Sequence, residues 1–142
     1  MKIGIVVSEY NYDITMMMLE RAKDHASFLG VEVASVFRVP GTYDIPFGVS
    51  TLIRKGGLSA IVTLGAVIQG ETKHDEVIMQ NAARKIMDIS IESGVPVTLG
   101  ITGPGESRLQ AEARIEVAKS AMESAVKLAR ESEKLLATKH KD

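Results

Sequence analysis

The sequence lacks cysteine and tryptophan, and only 4% of its residues are aromatic. Without cysteine the chain has no disulfides, zinc-thiolate sites or thiol catalysis. No apolar run reaches the roughly 20 residues that a membrane-spanning helix needs. The formal net charge is -1, so the chain has no general basic field. We therefore expect neither nucleic acid nor a membrane as a partner.

The residues that are present are typical of a globular protein. Of 142 residues, 45% are hydrophobic and 25% charged, which predicts one ordinary domain over 1–142. The opening MKIGIVVSEY has a short apolar run and no small-residue cleavage pattern. We interpret it as a first strand rather than a signal peptide, and expect a cytoplasmic protein. Residues from about 137 to 142 are expected to form a frayed tail.

Hydrophobic periodicity predicts four strands that alternate with four helices. The strands are expected at 3–8, about 31–39, 60–65 and 95–101, and the helices at about 13–29, 46–56, 73–93 and 108–136. Ser107 and Gln110 have capping-box spacing at the start of the last helix, and TGPGE (102–106) is interpreted as a loop. The order predicts parallel pairing with helices on both faces. The expected fold class is α/β, a flavodoxin-like three-layer α/β/α sandwich around a four-stranded parallel sheet.

Ligands of open α/β sheets bind beyond the carboxyl ends of the strands. Four loops are therefore candidates for function: SEYN, VPGTYD, VIQGETKH and ITGPGE. Within the third, GAVIQGET has the spacing of the G-x-x-x-x-G-K-[ST] loop that binds nucleoside triphosphates. Glu71 stands where that loop requires lysine, and a carboxylate there would repel the phosphates. Nucleoside triphosphatase activity is therefore disfavoured.

The third loop supports two interpretations. The spacing of Thr72 and Asp75 is that of a capping box, which only starts a helix. Free backbone N–H groups at that helix start, beside Gly70, would also cradle one phosphate without a lysine. His74 is either a surface histidine or a proton-transfer residue. The helix N-terminus favours its neutral form, whereas Asp75 and Glu76 favour the cation.

Three further residues each have a structural and a functional interpretation. Tyr10, at the end of the first strand, either packs against the sheet or offers a stacking surface for a flat ring. Asp44 either favours a helix start electrostatically or accepts hydrogen bonds from the hydroxyls of a polyol. Arg114 is either a solvated side chain or a phosphate clamp, because a guanidinium matches phosphate with two N–H groups.

Six segments form a series along nearly the whole chain: SEYNYDIT, VPGTYDIP, GAVIQGETKHDEV, NAARK, PVTLGITG and LQAEAR. In this order they resemble the 6,7-dimethyl-8-ribityllumazine synthase family, and GAVIQGETKH is the most specific segment. The resemblance implies a transferase of riboflavin biosynthesis that uses no cofactor and no metal. Its substrates would be 5-amino-6-(D-ribitylamino)uracil and 3,4-dihydroxy-2-butanone 4-phosphate. They would condense through an imine, followed by elimination of phosphate and ring closure.

The resemblance also implies a role for each matching residue. The uracil and its ribityl chain would be bound by Tyr10, Asn11, Thr42, Tyr43, Asp44, Ala66, Val67, Ile68 and Leu99. Phosphate would be bound by Glu71, Thr72 and Arg114, and His74 would transfer protons. The family's lysine in the fourth helix has no secure match here, since Lys119 is close but out of register, and the chain departs from the family at two further positions. Leu99 stands where many members have phenylalanine, and Asp75 stands where an aromatic residue usually follows the histidine.

The resemblance further implies a homopentamer with active sites between adjacent subunits, so that Leu99 and Arg114 act across the interface. Some members assemble twelve pentamers into a hollow icosahedral shell, and the sequence leaves pentamer and shell both open. Two alternative functions are an archaeal-type riboflavin synthase, which joins two lumazines, and a non-catalytic flavin-binding or shell-forming relative. The GETKH segment argues against the first, because that reaction releases no phosphate.

Overall fold

Strands and helices alternate along residues 1–138, the part of the chain that the computed structural model describes. The strands are β1 (Lys2–Ser8), β2 (Glu32–Val39), β3 (Ala60–Ile68) and β4 (Val97–Glu106). The helices are α1 (Tyr12–Leu29), α2 (Ile45–Lys55), α3 (Asp75–Ser93), α4 (Arg108–Ala113) and α5 (Val117–Thr138), with a 3₁₀ turn at Thr42–Asp44. Of the expected tail, residues 137 and 138 belong to α5, and the rest lies outside the described residues.

The strands form one sheet in the order β2-β1-β3-β4, and every neighbouring pair is parallel. All nine residues of β3 are buried, as are the residues of β1 that follow Lys2. Burial of this kind belongs to parallel strands that are covered on both faces, and it explains their continuous apolar sequence. The order matches the first four strands of the flavodoxin-like arrangement, so the predicted fold class is confirmed.

Alternate side chains of the strands build two cores on opposite faces of the sheet. Ile5 and Val7 of β1 pack on the face covered by α1 and α5, whereas Val6 packs on the face covered by α2 and α3. Gly100 of β4 lies where α5 comes close to the sheet. A Cβ atom there would stand 2.6 Å from the carbonyl oxygen of Thr63, so the close approach requires glycine.

The prediction of one continuous fourth helix is wrong, because the chain turns at residues 114–116 and so forms two helices, α4 and α5. In this turn the amide of Arg114 bonds the carbonyl of Ala111 (3.1 Å), and the amide of Val117 bonds the carbonyl of Arg114 (3.0 Å). The short α4 packs over the ends of β3 and β4, whereas α5 packs along α1 and the sheet. The turn accommodates this change of direction, buries Ile115 and leaves Arg114 at the surface.

The predicted TGPGE loop is also wrong, because β4 continues through it to Glu106. Its pairing with β3 extends along that strand's last residues, with an irregularity in register. Gly103 and Gly105 have φ values of 95° and 81°, which glycine adopts at little cost. A Cβ atom at Gly103 would lie only 2.2 Å from the carbonyl oxygen of Val67. The extension brings Glu106 beside the loop that follows β3. The predicted capping box at Ser107 is confirmed.

Candidate active site

Two adjoining cavities lie at the carboxyl ends of the strands. The first, of about 150 Å³, is lined by Tyr10, Gly41, Thr42, Tyr43, Ala66, Val67, Glu71, Thr72, Asp75 and Ile78. The second, of about 430 Å³, is lined by Gln69, Gly70, Thr72, Lys73, Asp75, Glu76, Pro104 and Gly105. Thr72 and Asp75 line both cavities. Residues from all four candidate loops therefore meet at the edge of the sheet where a ligand was expected.

The length of β3 opens the first cavity. Pairing between β1 and β3 ends at Val7 and Leu64, but β3 continues to Ile68. Beyond that point, the edge of β3 that faces β1 has no strand beside it. Ala66 and Val67 line the cavity at this end of β3. Ile68 is buried and lines neither cavity.

Asn11 ties this edge of β3 to the loop that follows it. Its backbone is left-handed, with φ 61° and ψ 48°, a conformation that asparagine tolerates better than most residues. The side-chain amide donates to the carbonyl oxygen of Ala66 (2.9 Å) and to Oε1 of Glu71 (2.9 Å). Both N–H groups of Asn11 are thus engaged within the chain, and Asn11 lines neither cavity.

The loop of Gly70 and Thr72 already binds a carboxylate of the chain itself. Asp75 accepts hydrogen bonds from the amide of Gly70 (2.9 Å), the amide of Thr72 (3.1 Å) and the hydroxyl of Thr72 (2.6 Å). The Thr72 hydroxyl bond is the main cause that lowers the pKa of Asp75 below 3.8, against the opposing effect of burial. The expectation of free N–H groups is therefore wrong for Gly70 and Thr72. The geometry is suited to an anion, and Asp75 supplies one.

His74 stands just before α3 and is exposed. Its backbone amide donates to the hydroxyl of Thr72 (3.1 Å), and no side chain caps the helix there. The Thr72–Asp75 pair therefore organises the loop rather than the first turn of α3. The imidazole lines neither cavity, so proton transfer by His74 stays a prediction, whereas Lys73 lines the second cavity.

The three residues expected to hold the ribityl chain, Thr42, Tyr43 and Asp44, do not all line the first cavity. Thr42 is buried, Tyr43 is 78% exposed, and both line the first cavity. Asp44 does not line it, and its carboxylate accepts a hydrogen bond from the amide of Gly41 (3.0 Å). That contact favours the structural interpretation of Asp44, in which it stabilises the start of the 3₁₀ turn.

Leu99 and Arg114 line neither cavity. Leu99 is 44% exposed on β4. The side chain of Arg114 is 47% exposed, and its Nη1 donates to Oε1 of Glu106 (3.0 Å). Within one chain, the site thus lacks the ring-covering side chain and the arginine that the family resemblance implies.

Glu106 is a functional candidate that sequence reasoning missed. Its side chain is 0% exposed, and a glutamate is almost never fully buried unless it is paired. The hydroxyl of Thr102 donates to Oε2 of Glu106 (2.7 Å), opposite the contact with Arg114. In the sequence Glu106 ends a glycine- and proline-containing segment, which predicts a solvated loop. Only the extension of β4 reveals its burial.

Residues 1–138 contain neither a cluster of metal-ligand side chains nor a membrane-spanning helix. No three histidine or acidic side chains in this range come together as metal ligands would. None of its helices combines the length and apolar character needed to cross a membrane.

The fold and the two cavities define an α/β protein whose ligand site lies at the carboxyl ends of a parallel sheet, beside an anion-binding loop. A family model described as 6,7-dimethyl-8-ribityllumazine synthase matches residues 1–133. The chain therefore belongs to the 6,7-dimethyl-8-ribityllumazine synthase family, and the resemblance seen in the sequence is confirmed.

Archaeal relatives support this membership across most of the chain. A protein of Picrophilus torridus is 59% identical over 127 residues, which cover 89% of this chain and 93% of the relative. A protein of Aeropyrum pernix is 60% identical over 136 residues, which cover 94% and 92%. A protein of Pyrobaculum arsenaticum is 58% identical over 140 residues, which cover 98% and 93%. All three relatives are named 6,7-dimethyl-8-ribityllumazine synthase.

Proposed function

We propose that the chain is an enzyme that condenses 5-amino-6-(D-ribitylamino)uracil with 3,4-dihydroxy-2-butanone 4-phosphate to give 6,7-dimethyl-8-ribityllumazine and phosphate. One observation carries the proposal beyond family membership. The open edge of β3 and the anion-binding loop meet at one place, with Thr72 lining both cavities. A flat ring and a single phosphate can therefore be bound side by side. A cytoplasmic location remains the prediction from the sequence.

The uracil binds in the first cavity in this proposal. Tyr10 lines the cavity and is 52% exposed, so its ring face is available for stacking on the pyrimidine. The backbone of Ala66 and Val67 reads the edge of the uracil, because β1 no longer pairs with this part of β3. The hydroxyl of Thr42 serves the ribityl chain from the opposite wall of the cavity.

The phosphate of the second substrate binds to the loop of Gly70 and Thr72. It takes over the amides and the hydroxyl that Asp75 now occupies. The amine of the uracil attacks the ketone and forms an imine with loss of water. The C–O bond to phosphate then breaks, and the leaving group takes the bonding electrons onto oxygen, where the loop donors stabilise the charge. His74 takes the proton that the neighbouring carbon loses as this C–O bond breaks. The resulting enol tautomerises to a ketone, and the second nitrogen attacks that ketone and closes the ring with loss of a second water.

We propose a homopentamer, either alone or as part of a shell, with active sites between adjacent subunits. The first cavity, about 150 Å³, is smaller than the roughly 300–1,000 Å³ of ordinary ligand sites, so side chains of a neighbour would complete the walls around the ring. Leu99 of a neighbour would cover the ring, and Arg114 of a neighbour would reach the phosphate. Exposed Phe28, Phe47 and Ile91 offer apolar surface for subunit contacts. Light scattering distinguishes a pentamer from a shell.

Mixed assemblies test whether sites are shared between subunits. An assembly of Tyr10→Ala subunits alone would lose activity, and so would an assembly of Arg114→Ala subunits alone. In the proposed site these two residues come from opposite sides of the interface. Co-expression would restore activity at the interfaces that combine an intact Tyr10 with an intact Arg114. Activity no higher than the average of the two parent variants would contradict a shared site.

Product analysis distinguishes the three candidate functions. The proposed enzyme releases phosphate and forms the lumazine only when both substrates are present. A riboflavin synthase would convert the lumazine alone to riboflavin without releasing phosphate, and a non-catalytic relative would bind it unchanged. Riboflavin formed from the lumazine alone would overturn the proposal in favour of the first alternative.

A further inference from the structure

Three parts of the chain meet at the buried Glu106. Its Oε1 accepts a hydrogen bond from Nη1 of Arg114 (3.0 Å), and its Oε2 accepts one from the hydroxyl of Thr102 (2.7 Å). Its backbone carbonyl accepts a hydrogen bond from the amide of Gln69 (2.7 Å), at the start of the phosphate loop. A buried carboxylate is costly unless such partners satisfy it, so this arrangement fixes the carboxylate in one orientation.

The pair formed by Glu106 and Arg114 is asymmetric. Glu106 is 0% exposed, whereas the side chain of Arg114 is 47% exposed. A guanidinium carries five N–H donors in a rigid planar fork. Among residues 1–138, the side chain of Arg114 donates a hydrogen bond only to Glu106. One nitrogen is therefore held from inside the fold, and the rest of the fork is available at the surface to a phosphate.

We propose that Glu106 is a positioning residue for Arg114. It holds the guanidinium plane so that its free donors point away from the chain, toward the phosphate bound by an adjacent subunit. Its backbone carbonyl, bonded to the amide of Gln69, also fixes the start of the loop of Gly70 and Thr72 in its own subunit. The inference rests on the proposed phosphate-binding role of Arg114. It adds a buried carboxylate to the phosphate site without requiring Glu106 to touch a substrate.

Steady-state kinetics of Glu106→Gln tests this role. Glutamine keeps the size of the side chain and can still hydrogen-bond, but it removes the charge that holds Arg114. We expect the KM for 3,4-dihydroxy-2-butanone 4-phosphate to rise roughly three- to tenfold, the effect of weakening one charge-assisted hydrogen bond. The KM for the uracil substrate should stay unchanged. Glu112→Gln is the matched control, because Glu112 is half exposed and lies 3.7 Å from Arg108.

Repeating the Glu106→Gln substitution in the Arg114→Ala variant separates positioning of the arginine from a general loss of structure. In Arg114→Ala, adding Glu106→Gln should raise the KM for the phosphate substrate no further, because the residue it positions is already absent. An equal rise in both backgrounds would show that the Glu106 side chain does not act through the arginine, and it would overturn the inference. An unchanged or lower KM in Glu106→Gln alone, with a raised KM in Arg114→Ala, would also overturn the inference.

Two further results keep the test decisive. If Arg114→Ala leaves both KM values unchanged, the proposed role of Arg114 fails, and the inference about Glu106 fails with it. If Glu106→Gln does not fold, Thr102→Val removes one hydrogen bond to the carboxylate and preserves its charge. This variant should show the same selective rise for the phosphate substrate, and an equal rise for both substrates would contradict positioning. Light scattering confirms that each variant assembles as the parent protein does.

Discussion

Replacing Asn11 should loosen the connection between the start of α1 and the substrate-facing edge of β3. The amide of Asn11 donates to Ala66 and Glu71 from a left-handed backbone. Three substitutions separate these features. Asn11→Gly keeps the backbone conformation and removes both bonds, Asn11→Ala removes the bonds and strains the backbone, and Asn11→Asp keeps the side-chain shape but lacks the donors.

The expected losses of unfolding free energy differ among the variants. The partly buried bond to Ala66 contributes about 1 kcal/mol, and the exposed bond to Glu71 a few tenths. Glycine adds roughly 0.5–1 kcal/mol of chain entropy, so Asn11→Gly should cost about 2 kcal/mol. A left-handed backbone costs an ordinary residue about 1–2 kcal/mol, so Asn11→Ala should cost about 3 kcal/mol. Asn11→Asp should cost at least about 1 kcal/mol, because its carboxylate faces two acceptors.

Urea denaturation at one protomer concentration measures these differences, since oligomer stability depends on concentration. We also expect the KM for the uracil substrate to rise in all three variants, because Ala66 lines the cavity. If Asn11→Ala is as stable as Asn11→Gly, the argument from backbone strain is refuted. If Asn11→Asp is as stable as the parent protein, the two side-chain hydrogen bonds contribute nothing.

Three other changes test separate parts of the structure. His74→Ala should slow turnover by roughly 10²-fold or less, the low end for a general acid–base residue, and should leave product binding intact. An unchanged rate would remove His74 from the mechanism. The Thr72 hydrogen bond lowers the pKa of Asp75 from 3.8, so the contacts of Asp75 contribute their full stability above pH 3.8 and lose it as the pH falls through the lowered pKa. Asp75→Asn should strengthen binding of inorganic phosphate roughly severalfold in calorimetry by removing a competing anion; weaker binding would show that Asp75 organises the loop instead. Gly100→Ala should lower the free energy of unfolding by about 1–3 kcal/mol, because its Cβ would overlap the carbonyl of Thr63. Gly41→Ala is the control and should be nearly neutral, because the nearest atom lies 3.8 Å from its Cβ. Equal stabilities of the two variants would contradict the close approach at Gly100.

The sheet and its layers could be predicted because the signal is local. Parallel strands that are buried on both faces are continuously apolar, and the run at 60–65 is an example. The extension of β4 could not be predicted in the same way. Glycine and proline in TGPGE favour a turn when the segment is considered alone. They belong to a strand here because β3 extends far enough to pair with Thr102 and Glu106 on either side of them.

The candidate site was predictable as a set of loops but not as a set of contacts. Asn11 and Glu71 are 60 positions apart, and nothing in the sequence pairs them. The Thr72–Asp75 spacing correctly indicated a contact, but the local pattern placed it inside the helix start rather than before it. The burial of Glu106 depends on three elements that meet only in the fold. Leu99 and Arg114 lie outside both cavities, and only the proposed homopentamer would bring them to the site of a neighbour.

The central claim is that this chain makes a lumazine and releases phosphate in one reaction. The most direct measurement follows inorganic phosphate and lumazine absorbance together, with both substrates present and with each substrate alone. The account predicts that the two products form in equal amounts and at equal rates, only in the complete mixture. Phosphate released without lumazine, or no phosphate from the complete mixture, would contradict it.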